Sequence, residues 1–205
     1  MFIKLLDSAQ SLQKKVNKAI AEQANELVSK ASAGIKRDVK NLVTMSVLSQ
    51  PEIQSLENGY LKGAFGIQGQ SPTQIIADSV ADSVFVDVKR YSNSLSGGGM
   101  SVNVQPTSLL NLLSLSQGHT VTNKGTDLHW LNWLLTMGDS SIIVDYMYDP
   151  STGKGRSRLG YMKPGGFFRV PPEFSGTEND NFITRALLDK KHVESVFNTI
   201  KKVLD

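Results

Sequence analysis

Apolar residues recur at steps of three and four from Leu5 through Ala9, Leu12, Val16, Ile20, Ala24, Leu27, Ala31, Ile35, Val39 and Val43. That period places them on one stripe of an amphipathic helix. Lys14, Lys15, Lys18, Lys30, Lys36 and Lys40 fall off or beside the stripe. Pro51 ends the pattern, because the residue before a proline is pushed out of the helical region. A helix of ~40 residues would run ~60 Å, far past strands of ~20 Å packed beside it. Part of the stripe must therefore bend back at Gly34 or pack on a neighbouring subunit. The second outcome is expected, with Leu12, Val16 and Ile20 as contact residues.

Downstream the period changes repeatedly. A short helix opens at Pro51 and ends in a bend punctuated by Gly59, Gly63, Gly66 and Gly69, and Pro72-Thr73 opens another helix through Ile75, Ile76 and Val80. Val84, Val86 and Val88 then alternate with polar or exposed positions, as do Met100, Val102 and Val104, which predicts two strands joined by a serine- and glycine-rich hairpin link. Residues 107–115 and 126–137 are expected as helices, the second capped by Thr126 or Asp127 and stopped by Gly138. Trp130 and Trp133, with Leu128, Leu131, Leu134 and Leu135, make that helix apolar nearly all round, so it is buried in the fold or presses on a partner. Ile142, Val144, Tyr146 and Tyr148 predict a third strand, and Phe167 to Val170 a fourth, after turn chemistry at Asp149-Pro150-Ser151-Thr152-Gly153. A single helix from Asn181 to Leu204 is expected to bury Phe182, Ala186, Val193, Val196, Phe197, Ile200, Val203 and Leu204. The order predicts the α+β class: a long N-terminal helix, a small mainly antiparallel sheet with inserted short helices, and a C-terminal helix packed on the sheet. Residues 1–50 form a helical arm and 51–205 an α+β domain, together one structural unit.

Composition narrows the chemistry. The 205 residues are 40% hydrophobic and 20% charged, a globular balance. Zero cysteines exclude disulfides, thiol catalysis and thiolate metal sites. No apolar run approaches the ~20 residues that cross a bilayer, and Met1 to Asp7 is too short and too soon charged for a secretory signal. The net charge of +3 is uneven. Residues 1–50 carry eight Lys/Arg against four Asp/Glu, residues 51–150 four against nine, and residues 151–205 ten against six. Basic ends flanking an acidic centre can orient subunits in an assembly, or reflect lysine-rich solvated helix faces.

Catalytic motifs are missing. His119, His129 and His192 fall in three different predicted elements, without the i, i+4 spacing of a metal pair. There is no Gly-x-Ser-x-Gly elbow. Ser151-Thr152-Gly153-Lys154-Gly155 lacks the phosphate-loop pattern, since Tyr148 stands where its first glycine should be and Gly155 where Ser/Thr should follow the lysine. What survives there is a basic loop of Lys154, Arg156 and Arg158 between Tyr148 and Tyr161, able to grip phosphate without reading sequence. No cofactor, metal or catalytic residue is expected.

The stretch Arg169 to Leu188, RVPPEFSGTENDNFITRALL, combines a paired proline stop, a polar turn and the entry Phe182-Ile183-Thr184-Arg185-Ala186-Leu187. It resembles the C-terminal signature of bacteriophage tail-completion and neck proteins, the group that includes the lambda-type minor tail protein Z. The long alanine- and lysine-rich opening helix and the Gly59-Tyr60-Leu61-Lys62-Gly63 bend resemble the same family. Its Glu-Phe-Gly-Thr strand end has only Leu135-Thr136-Met137-Gly138 as a stand-in. The resemblance implies a non-enzymatic virion protein of the head–tail junction, assembled in the host cytoplasm. It would work as a homo-oligomeric ring, a neck, tail-completion or terminator layer joining the tail to the head connector. Its partners would be neighbouring neck, connector and tail proteins, with no membrane. Trp130, Trp133, Lys154, Arg156, Arg158, Phe182 and Arg185 join Leu12, Val16 and Ile20 as expected interface residues. Non-specific contact with packaged DNA is expected of the virion protein as well. The alternative is a DNA-contacting accessory protein that uses the basic ends and the Lys154–Arg158 loop.

Overall fold

The computed structural model describes residues 7–106, 108–122, 124–151, 153–155 and 157–204. The first element, α1 (Ala9–Leu48), is one helix of 40 residues. Ser8 caps it by accepting the Ser11 amide at 3.2 Å, and it runs unbroken through Gly34, so the chain does not bend back there. Pro51 takes the first position of α2 (Pro51–Asn58), where its missing N–H is no loss. Then come α3 (Tyr60–Ala64) and α4 (Thr73–Ala81), the latter packed along α1. The first hairpin pairs β1 (Phe85–Lys89) with β2 (Gly99–Asn103), in the alternation the sequence predicts.

Beyond it the sequence expectations are partly overturned. The helix expected over 107–115 contracts to α5 (Leu110–Leu113), and Thr107 lies outside the described residues. The helix expected to start at Thr126 or Asp127 starts later, because residues 127–128 are taken by a short ladder. There β3 (Thr120–Val121) pairs with β4 (Asp127–Leu128). His129 then holds the cap position of α6 (Trp130–Leu135) without a side-chain cap bond. The third ladder pairs β5 (Ile143–Asp149) with β6 (Tyr161–Phe168), which begins six residues before the expected fourth strand. Its register shifts between Val144 and Tyr146, where Asp145 takes a left-handed φ of 69°. That bulge breaks the period-2 alternation, so Val144, expected to face inward, is 68% exposed.

The α+β class holds, with the strands divided among three two-stranded antiparallel ladders. The expected terminal helix is two helices, α7 (Phe182–Leu188) and α8 (Lys190–Leu204). Asp189 interrupts them, its carboxylate accepting the amides of Lys191 at 3.0 Å and His192 at 3.2 Å as a fresh cap. α8 lies along α1 and beside β2, burying His192 and Val196. Val193 and Phe197, expected inside, are 51% and 67% exposed.

One core gathers Ile35, Val39, Val43 and Val47 of α1 with residues of each helix from α2 to α8. The boundary expected at residue 50 thus falls inside a shared core. At its centre Phe65 stacks on Trp130 at 5.6 Å and meets Phe168 edge-on at 6.4 Å. Gly63 is required where it stands: a Cβ there would overlap the Tyr148 hydroxyl, which seats the β5–β6 hairpin against α3.

The entry to α7 is the best-tied joint. Asn181, fully buried, forms a capping box with Thr184. Arg185, expected at an interface, is engaged within the chain, pairing with Glu52 of α2 and, at 2.7 Å, with Asp180. Glu52 is 1% exposed, so Arg185→Ala would strand a buried carboxylate. Removing one partner of a fully buried pair costs about 3–5 kcal/mol; the half-open arginine lowers that to roughly 2–3 kcal/mol. Urea unfolding checks it, and Glu52→Leu/Arg185→Leu should recover most of the loss.

Candidate functional site

The N-terminal end of α1 stands clear of the body. From Ala9 to Ile20 only Ser11 and Asn17 are even half-buried, whereas Ala21 is 1% exposed. The body begins at that point. Asn25 makes a paired contact with Tyr91, donating to its carbonyl at 3.0 Å and accepting its amide at 2.7 Å, and so pins the end of β1 to the helix. Leu12, Val16, Ile20 and Leu27, by contrast, are each about half exposed (46–52%).

The direction of these side chains matters more than their exposure. At about 100° per residue, Leu12, Val16, Ile20 and Leu27 share one face, within about 80° of one another. Val39, at the centre of the buried stretch of α1, points about 140° away from Val16. The single stripe read from the sequence is therefore two faces. Its steps of four outrun the 3.6-residue turn and carry it round the helix. The arm's apolar face looks away from the chain's own body. Lys14, Lys15 and Lys18 lie about 100° or more from Val16, with no acid between Ala9 and Ile20. Lys15 pairs with Asp7 at 2.6 Å.

The other expected interface residues divide. Trp130 and Phe182 are fully buried in the monomer's core, which corrects their assignment to a partner surface. Trp133 is half-buried and packs against the same core. Arg185 is engaged within the chain, as described. Lys154 and Arg158 are exposed on the β5–β6 connection, and no ion pair involves either among the described residues. Arg156 lies outside the described residues. Lys154 and Arg158 are thus accessible, and among the described residues neither lines one of the larger clefts.

The histidines hold what the sequence did not show. The β3–β4 turn brings His119 Nδ1 to 2.9 Å from Asp127 Oδ2. The His119 ring stacks on His129 at 3.9 Å with 14° between planes. The only available signal was the eight-residue spacing of His119 and Asp127 across a Thr/Gly turn, masked by reading Asp127 as a helix cap. A His–Asp pair can orient a general base, but no hydroxyl nucleophile bonds either imidazole among the described residues. No group of three metal-capable side chains gathers there or elsewhere among them. Burial, then the neighbouring His119, lowers the pKa of His129 below its ordinary 6.5, and burial lowers that of His192.

These shifts set a pH dependence. Between the ordinary value and the lowered native values the unfolded chain binds protons that the folded chain refuses. Stability from these groups is therefore intact above pH ~6.5 and falls as the pH drops below it. Melting temperatures measured from pH 7.5 to 5 should decline, and His192→Asn should flatten the decline. A flat profile in the parent protein would contradict the placement of both imidazoles.

Comparison with protein-family models, with curated proteins and with solved structures gave no match.

Proposed function

We propose that the chain is a non-enzymatic assembly subunit whose N-terminal arm is sealed by a neighbouring copy, and that it forms a ring at the head–tail junction of a tailed phage. The single observation that carries the assembly reading is the arm's apolar face, turned away from the body. Own-chain packing would have to reach the far side of α1. A second copy meets no such obstacle, and the lysines lie off the contact face, so like charges do not meet across it.

Magnitudes favour a closed assembly over a simple pair. Burying the exposed half of one such aliphatic side chain is worth about 1 kcal/mol, so four contribute about 4 kcal/mol per arm. That only matches the lower end of the ~4–15 kcal/mol that association costs in lost freedom. A lone arm contact is weak. Closing a ring lets every subunit both give and receive an arm, so the last contact forms without a further loss of translational freedom.

The narrower placement at the phage neck rests on the resemblance of the Arg169–Leu188 stretch and the long opening helix. Most apolar residues of that stretch, Phe182, Ile183, Ala186 and Leu187, are core residues of the monomer, so the arm bears the assembly role. Antibodies against the chain should mark the head–tail junction of purified particles in electron micrographs. Recovery of the chain from host lysate but never with particles would refute the placement.

A further inference from the structure

α8 carries a second uncovered apolar surface, separate from the arm. Between it and the first hairpin runs a groove of about 250 Å³. Met100, Val102 and Val104, at every second position, present one face of the β2 segment to it, and Val196 and Ile200 form the opposite wall. His192 also lines the groove and is 7% exposed; its Nε2 is buried without a hydrogen-bond partner among the described residues.

The rim gives the sign of the partner. Val193 lines it and is half exposed, and Phe197, exposed one helical turn on, neighbours Val193 on the helix surface. Lys190 lies three residues before Val193, and Lys201 four residues after Phe197, so both neighbour the apolar flank on the helix surface. Lys190, Lys191, Lys201 and Lys202 enter no ion pair among the described residues, and Glu194 is the one acid between them. An apolar flank edged by uncommitted cations complements apolar side chains edged by carboxylates. The basic arm of another copy lacks that complementarity, and a flat lipid surface does not enter a groove.

We propose that this groove receives an acidic amphipathic helix of a different protein. Its apolar side chains enter between α8 and β2, and its carboxylates meet Lys190 and Lys201, the helix-in-groove mode of recognition. The site is independent of the arm, so the subunit would use one surface for its own copies and another for a neighbour of opposite charge.

The test titrates the full chain with a labelled synthetic helix-forming peptide bearing Leu and Phe along one face and Glu at its borders. Its lysine-for-glutamate counterpart and phosphatidylglycerol vesicles run in parallel. Expected is saturable binding of the acidic peptide with a shift of the His192 imidazole resonance. Binding should weaken at least tenfold in Phe197→Ser and in Lys190→Glu/Lys201→Glu, all three exposed positions, and stay unchanged in the arm variant Leu12→Asp/Val16→Asp/Ile20→Asp. Absence of saturable binding, equal binding of the lysine peptide, or vesicle binding that the α8 changes abolish would each overturn the proposal. If the α8 changes instead abolish self-association, the groove belongs to a second copy and the proposal fails while the assembly reading stands.

Discussion

Phe182→Ala should destabilise the fold by roughly 3–5 kcal/mol, the range for truncating a fully buried aromatic. Phe182 is the first residue of α7, with none of its surface exposed, and the buried Asn181 cap fixes it in place. The surroundings cannot easily collapse into the space. Ala186 and Leu187, one turn on, are buried too, and Ser46 of α1 donates to the Ala186 carbonyl at 2.8 Å. The loss would consume a large share of the ~5–15 kcal/mol that holds a domain folded. Urea denaturation of parent and variant measures it, and an unchanged midpoint would refute the placement of Phe182 in the core.

The second large effect separates assembly from folding. Leu12→Asp/Val16→Asp/Ile20→Asp should abolish self-association while leaving helix content and melting temperature nearly unchanged. These positions are each about half exposed, and Ala21 marks where the body begins. Three carboxylates brought into an interface would each need a partner or remain in water, and both outcomes oppose burial of the arm. Loss of folding in the isolated monomer would instead place the stripe in the chain's own core. Salt adds a check: if like charges stay off the contact face, moderate salt should change the assembly little.

Much of the fold was legible where local signals were self-sufficient. The stop at Pro51, the Pro72-Thr73 helix start and the Val86/Val102 alternation each act within a few residues, and the structure keeps all three. Errors arose where a distant contact decided. Asp127 reads as a helix cap until its pairing with Val121 is known. Val144 reads as an inward residue until Asp145 adopts its left-handed turn. Val193 and Phe197 belong to an apolar arc wider than the face α8 presents to the core, and periodicity alone does not tell which edge stays open.

The candidate surface was half legible. Leu12, Val16 and Ile20 emerged from the helical period, but their direction did not, because steps of four seem collinear on the page and diverge in space. Trp130 and Phe182 were expected both at a partner surface and among buried helix positions, and the structure keeps only the second: they fill the core. The His119–Asp127–His129 cluster depends on a hairpin of two residue pairs, too short to register as alternation.

Sedimentation velocity across a concentration series, comparing the parent chain with Leu12→Asp/Val16→Asp/Ile20→Asp, tests most directly the proposal that a second copy seals the arm. The account predicts a parent that associates into a discrete larger species as concentration rises, and a variant that stays at the 22.4 kDa monomer with native circular dichroism. A parent that remains monomeric throughout, or a folded variant that associates equally well, would contradict it.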